Sequence, residues 1–229
     1  MVAYGKKLRE LPSFLSTASM VFDDREKTID LLFKAEKPSP PVYEPARRLF
    51  CSVLSGDLSW ERAIEEAERL DGRERGCAVD VLNHSRDFLL KQPRSRVSKI
   101  GLSTTIPNGM KLRIAPIWVR ELPQPRLLVL YFWMKPLNDH QVSAVAAILR
   151  MALLDRQKEF KSYDLDFVSV SMEEKANTRR FSCLDWKRAH PLDEGDLMRF
   201  WARFVAAWDE YQRRPPRVRR RKEESGTLF

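Results

Sequence analysis

The chain has 229 residues, 43% hydrophobic and 32% charged, with a formal net charge of +9. That length and apolar content support one buried core of ordinary size with peripheral helices, so neither a metal nor a disulfide is needed to hold it. The longest unbroken apolar run, Leu127 to Met134, is eight residues, far short of the ~20 that cross a bilayer, and the opening stretch holds no continuous apolar leader, so the expectation is a soluble, cytoplasmic protein with no membrane partner.

Residues 1–42 are weakly patterned and read as an irregular segment that wraps the body. Thr28 to Lys34 fits a strand or a helical turn equally well, and Pro38, Pro40 and Pro41 break whatever precedes them. A helical region follows over 43–93. Glu44 to Leu54 places Leu49, Phe50, Val53 and Leu54 on one face, and Gly56 is a stop signal. Asp57 or Ser59 suits the cap of a helix from Trp60 to Leu70, and a third helix runs from Glu74 to Lys91 and ends before Pro93.

The period then changes from helix to strand, opening a core over 94–212. Val97 to Ile106 and Met110 to Arg120 read as a hairpin about Pro107-Asn108-Gly109, where Asn-Gly tolerates positive φ at both central positions. Pro116 points to a bulge or an end of pairing. Leu127 to Met134 is apolar on both faces and belongs inside a sheet covered on both sides. Asn138 or Asp139 suits the cap of a helix carrying Val142, Val145, Ala146, Leu149 and Leu153, and Leu165 to Met172 follows as a parallel strand. Arg179 to Trp186 is a fifth strand. A last helix from Asp193 to Gln212 carries Leu197, Phe200, Trp201, Phe204, Val205 and Trp208 on its apolar face. The fold class is therefore α/β or α+β: a mixed sheet of about five strands, an antiparallel meander plus a parallel crossover strand, with helices on both faces.

Helix, three-stranded meander, crossover helix and parallel strand, over residues 74–172, resemble in order the core of the restriction-endonuclease-like PD-(D/E)XK superfamily. In that family a proline-aspartate pair on the second strand and an acidic-x-lysine triplet on the third hold Mg²⁺ and position the attacking water. Here Pro116 is followed by Ile117, Lys135 is preceded by Trp133 at the acidic position, and Gln141 opens the crossover helix, where some members carry a glutamine. A hard cation needs oxygen ligands, which Ile and Trp do not supply. The resemblance thus implies a vestigial site of Pro116, Glu121, Lys135 and Gln141 from which nuclease chemistry has been lost. Glu121 closes the second strand and Asp139 opens the helix. Both are expected at the sheet end of Lys135, with turn solvation and helix capping as their ordinary roles.

Cys51, Cys77 and Cys183 show no metal-ligand spacing among themselves or with His84, His140 and His190, so reduced thiols, no metal and no cofactor are expected. Cys183 is read as a core residue. Trp118 and Trp186, beside Arg120, Lys187 and Arg188, are candidate exposed platforms for a base or a partner.

Charge is concentrated at the C-terminal end. Arg213, Arg214, Arg217, Arg219, Arg220, Arg221 and Lys222 run without an acidic residue, so with Glu223 and Glu224 residues 213–229 carry +5 and the other 212 carry +4. Past Pro215-Pro216 there is too little apolar content for a core, and disorder is expected. A run of this kind neutralises phosphates and releases counterions. The leading expectation is a non-catalytic protein that binds a macromolecule, DNA or RNA first. A protein-protein or structural subunit contacting its partner through the last helix is the alternative, and a divergent nuclease with an unrecognised site is the third reading.

Overall fold

The computed structural model describes residues 8, 10–21, 24–36, 42–121, 125–133, 135–155, 160, 162–173, 178–185 and 190–215. Its centre is strand β3 (Arg126–Tyr131), in which every residue from Leu127 to Tyr131 is buried. Successive side chains of a strand point to opposite faces. Leu127, Val129 and Tyr131 accordingly enter one core, and Leu128, Leu130 and Phe132 enter another.

The sheet runs β1-β2-β3-β4-β5, with β1 (Val97–Thr105), β2 (Lys111–Arg120), β4 (Asp164–Met172) and β5 (Arg179–Asp185). All neighbours are antiparallel except β3 and β4, which pair in parallel from Arg126 opposite Asp164 to Tyr131 opposite Ser169. Parallel neighbours need a crossover connection, and helix α6 (Asp139–Asp155) supplies it. The expected mixed sheet with helices on both faces is what forms. Helices α3 (Glu44–Ser55), α4 (Trp60–Glu68) and α5 (Gly72–Lys91) cover one face, and α1 (Phe14–Met20), α2 (Arg25–Ala35), α6 and α7 (Glu194–Arg213) cover the other. Among the described residues no helix is long and apolar enough to cross a membrane.

The local rules explain most boundaries. Gly56 ends α3 at φ 84°, a left-handed conformation that favours glycine. Asn138 and Gln141 form a reciprocal capping box at the start of α6: the Gln141 amide donates to Asn138 Oδ1 at 2.8 Å and the Asn138 amide to Gln141 Oε1 at 3.1 Å. The proline in β2 coincides with a register break. Ile100 faces Ile117 and Leu102 faces Ile114, so Gly101 stands opposite both Ala115 and Pro116.

Three expectations need correction, and one ambiguity is resolved. The N-terminal stretch is not irregular over its described part. Ser13 caps α1 and Asp24 caps α2, and Phe14, Leu15, Ala18, Ile29 and Leu32 are essentially inaccessible in the core. The strand-or-helix ambiguity at Thr28–Lys34 resolves to helix, because Thr28, Ile29, Leu32 and Phe33 make a stripe only at helical period. The hairpin turn has positive φ at Gly109 alone: Pro107 locks the first central position at negative φ, the Gly109 amide closes on Ile106 O at 2.9 Å, and glycine takes the left-handed position that follows. Finally, β3 stops at Tyr131 rather than Met134. The Phe132 carbonyl is taken by Arg179 Nη1 at 3.1 Å, and the Tyr131 hydroxyl donates to Lys135 O at 2.7 Å, so the chain leaves the ladder with its carbonyls satisfied by side chains.

If α1 is integral to the core, Phe14→Ala should lose roughly 3–5 kcal/mol, as for other buried phenylalanines. Urea unfolding of the full chain measures it. A loss below about 1 kcal/mol would show that α1 is only draped over the body.

Candidate functional site

An antiparallel hairpin reverses direction, and this separates the residues of the expected vestigial site. Glu121 lies just past β2, beside the start of β3, where Arg120 is paired with Arg126. It is exposed, and its amide donates to Arg96 O at 2.9 Å. Lys135 lies beyond the other end of β3, also exposed. A six-residue strand, roughly 20 Å long at 3.3 Å per residue, stands between them. Glu121 is therefore not at the sheet end of Lys135, contrary to expectation, whereas Asp139 opens the helix that follows Lys135. Gln141 is buried in structural roles: it caps α6, and its Nε2 donates to Ser19 O at 3.1 Å, fastening α1 to the crossover helix. Pro116 occupies its place in β2, and its side chain lies outside the described residues. Ile117 is fully buried in the core beneath α1 and α6, and Trp133 is half-buried with its ring 5.2 Å from that of Tyr131. The four residues do not converge.

The aromatic and thiol expectations also shift. Trp118 is only 5% exposed, so it is not an open stacking platform. It floors a groove of about 550 Å³ between α3 and the β1-β2 pair, where Lys99 Nζ lies 5.9 Å from its ring centroid and 2.8 Å from Glu44. Trp186, Lys187 and Arg188 lie outside the described residues. Cys183 is exposed rather than in the core, because β5 is the last strand of the sheet and among the described residues no further element covers that position. Burial pushes the Cys51 thiol up to about 12 and that of Cys77 to about 11, which keeps both protonated and unreactive at neutral pH. Among the described residues no group of three or more His, Cys, Asp and Glu is arranged to hold a metal.

One constellation was not anticipated. At the end of the sheet where β3 and β4 begin, Arg126 makes a bidentate pair with Asp166, Nε to Oδ2 at 2.7 Å and Nη2 to Oδ1 at 2.6 Å. Asp164 lies 3.4 Å and Asp185 3.6 Å from the same guanidinium. The hydrogen bond to Asp166, first among several causes, raises the Arg126 pKa further. Next to it Arg120 is 2% exposed and donates to Ser95 Oγ, Gln92 Oε1 and Pro93 O at 2.8, 2.7 and 2.5 Å. The legible signal was Asp164-x-Asp166 interrupting an apolar strand, since a buried acid must find a cation. Arg126 fills the place a metal would take among three carboxylates, so the cluster closes the sheet end and offers no open ligand site.

The basic run begins on a rigid support. Phe200, Trp201, Phe204, Trp208 and Tyr211 are buried inside the protein, whereas Met198 is half exposed and, with Leu192 and Leu197, lines a pocket of about 640 Å³. Arg213 is exposed, and its Nε donates to Asp209 O at 3.2 Å. Arg214 is held by Glu26 of α2 and Glu210 of α7, with Nη1 2.7 Å from Glu26 Oε2, and these bonds raise its pKa. Arg217, Arg219, Arg220, Arg221 and Lys222 lie outside the described residues. No protein-family model matches this sequence, and no curated protein is significantly similar to it.

Removing one member of a buried ion pair leaves the other uncompensated. Arg126→Met should cost roughly 3–5 kcal/mol in urea unfolding at neutral pH, and adding Asp166→Leu should return most of it. A single variant as stable as the parent would show that Arg126 does not neutralise the cluster.

Proposed function

We propose that this chain is a non-catalytic macromolecule-binding protein that contacts DNA or RNA phosphates through its basic C-terminal stretch. One observation carries this reading: seven basic residues and no acidic one between Arg213 and Lys222, leaving the end of a helix that the core anchors along five aromatic residues. Arg214 is committed to Glu26 and Glu210, so six cations remain to meet phosphates. The likeness in element order to the restriction-endonuclease-like superfamily supports a nucleic-acid partner, while Ile117 and Trp133 at the metal-ligand positions favour binding over cleavage. A protein partner in place of nucleic acid would need a surface other than the buried aromatic residues of α7.

Binding of this kind is insensitive to sequence and falls with salt, log K against log[salt] having a slope near −0.9 per phosphate neutralised on duplex and −0.7 on single strands. Six contacts set an upper magnitude of about 5 on duplex DNA and about 4 on single-stranded DNA. Fluorescence anisotropy with labelled duplex and single strand, for the full chain and for a form with Arg217, Arg219, Arg220, Arg221 and Lys222 changed to Ser, measures both slopes. The five-fold variant should retain little of the slope. Absence of binding by the full chain at low salt would overturn the proposal, and Mg²⁺-dependent nicking of plasmid DNA would overturn its non-catalytic part.

A further inference from the structure

We propose that the free edge of β1 is a docking site for an acidic peptide segment of another protein, which joins the sheet as an added strand beside the groove that α3 lines. This surface is distinct from the basic C-terminal stretch and adds a protein partner to the nucleic-acid reading. β1 is the first strand of the sheet and pairs only with β2. In an antiparallel pair, alternate residues exchange both backbone bonds with the residue opposite. The Glu121 amide donates to Arg96 O at 2.9 Å and the Ile106 amide to Met110 O at 3.0 Å, so the alternation is fixed from both ends. Ser98, Ile100, Leu102 and Thr104 therefore bond to β2, and Val97, Lys99, Gly101, Ser103 and Thr105 turn their N–H and C=O groups outward. Among the described residues none of these outward groups has a hydrogen-bond partner. Lys99, Gly101, Ser103 and Thr105 are exposed, and Val97 and Lys99 also line the groove of about 550 Å³ floored by Trp118.

The charge around this edge selects the occupant. From Gln92 to Arg120 the sequence holds Arg94, Arg96, Lys99, Lys111, Arg113 and Arg120 and no acidic residue. Arg120 is buried and Lys99 pairs with Glu44, whereas Arg94, Arg96, Lys111 and Arg113 are exposed and have no carboxylate partner among the described residues. Lys111 stands opposite Thr105 and Arg113 opposite Ser103. Leu112 and Ile114, which alternate with them, enter the core beneath α1 and α6, so Lys111 and Arg113 share the other face with Lys99 and the groove. Glu44, Asp57 and Glu74 line the groove itself, the first held by Lys99 and Arg47 and the second accepting from Ser55 Oγ at 2.6 Å. Small or apolar side chains of a docked strand thus belong over the groove, and acidic ones beyond it, along Ser103 to Thr105. A second copy would pair this basic edge with itself, and like charges across a strand pair are destabilising. A phosphate backbone offers acceptors and no donors, so it leaves the outward carbonyls of β1 unanswered. An extended polypeptide supplies both at the repeat of the strand.

The test is fluorescence anisotropy of a fluorescein-labelled peptide of four Glu-Val repeats with the full-length chain in which Arg217, Arg219, Arg220, Arg221 and Lys222 are changed to Ser, so that these C-terminal cations add nothing. Saturable binding is expected, and the matching Lys-Val peptide should bind about tenfold more weakly or worse. A docked strand bonds to its neighbour through alternate residues only. N-methylation of one alternate set of peptide amides, all Glu or all Val, should therefore abolish binding, and N-methylation of the other set should leave it nearly unchanged. Lys111→Glu/Arg113→Glu should weaken binding by about tenfold, since it reverses two exposed charges that face the peptide. No saturable binding of the Glu-Val peptide overturns the inference, and so does equal binding of both methylated peptides, which would show attraction by charge alone. Unchanged binding by the charge-reversed protein overturns it as well. A dimer in light scattering that Ser103→Pro converts to a monomer assigns the edge to a second copy. Duplex DNA binding that survives loss of the C-terminal cations but not Lys111→Glu/Arg113→Glu assigns the surface to nucleic acid. Either result overturns the peptide as the occupant.

Discussion

Burial of both faces of β3 is the constraint on which the rest depends. A strand apolar on one face needs one covering layer, whereas Leu127 to Tyr131 need two. That requirement explains why α3, α4 and α5 lie on one side and α1, α2, α6 and α7 on the other. It also explains why the N-terminal segment folds into helices despite its plain sequence: without Phe14, Leu15, Ile29 and Leu32, Leu127 and Val129 would lose part of their cover.

A sheet buried on both faces leaves its ends as the places where backbone and charge must be satisfied. At one end Arg120 and Arg126 do this, the first by three neutral acceptors and the second by carboxylates. At the other, Arg179 donates to Phe132 O and Val170 O while its Nε lies 3.3 Å from Asp80 of α5. Arginine suits these positions because its planar fork makes several directed bonds with little loss of freedom per bond. The polar residues that interrupt the apolar strands are thus part of how the sheet is closed, and their chemistry is spent internally.

Helix α7 buries its aromatic face, and its last turn holds both Leu8 and Arg214.

The strands, the crossover helix and the parallel pair were legible in the sequence because hydrophobic period is a local property, read over ten or so residues. The caps at Ser59 and Asn138 were each legible as one of two neighbouring candidates, since a short polar side chain there can meet amides two or three residues on. The tertiary structure alone decided which residues meet. Glu121 and Lys135 fall at opposite ends of β3 because the hairpin reverses the chain, and Cys183 is exposed because β5 is an edge. Arg126 gathers Asp164, Asp166 and Asp185 from two strands, and Leu8 reaches Tyr211 across the whole chain. Period and capping depend on neighbours along the backbone, whereas convergence of charge depends on how the elements pack, and no local pattern carries that information.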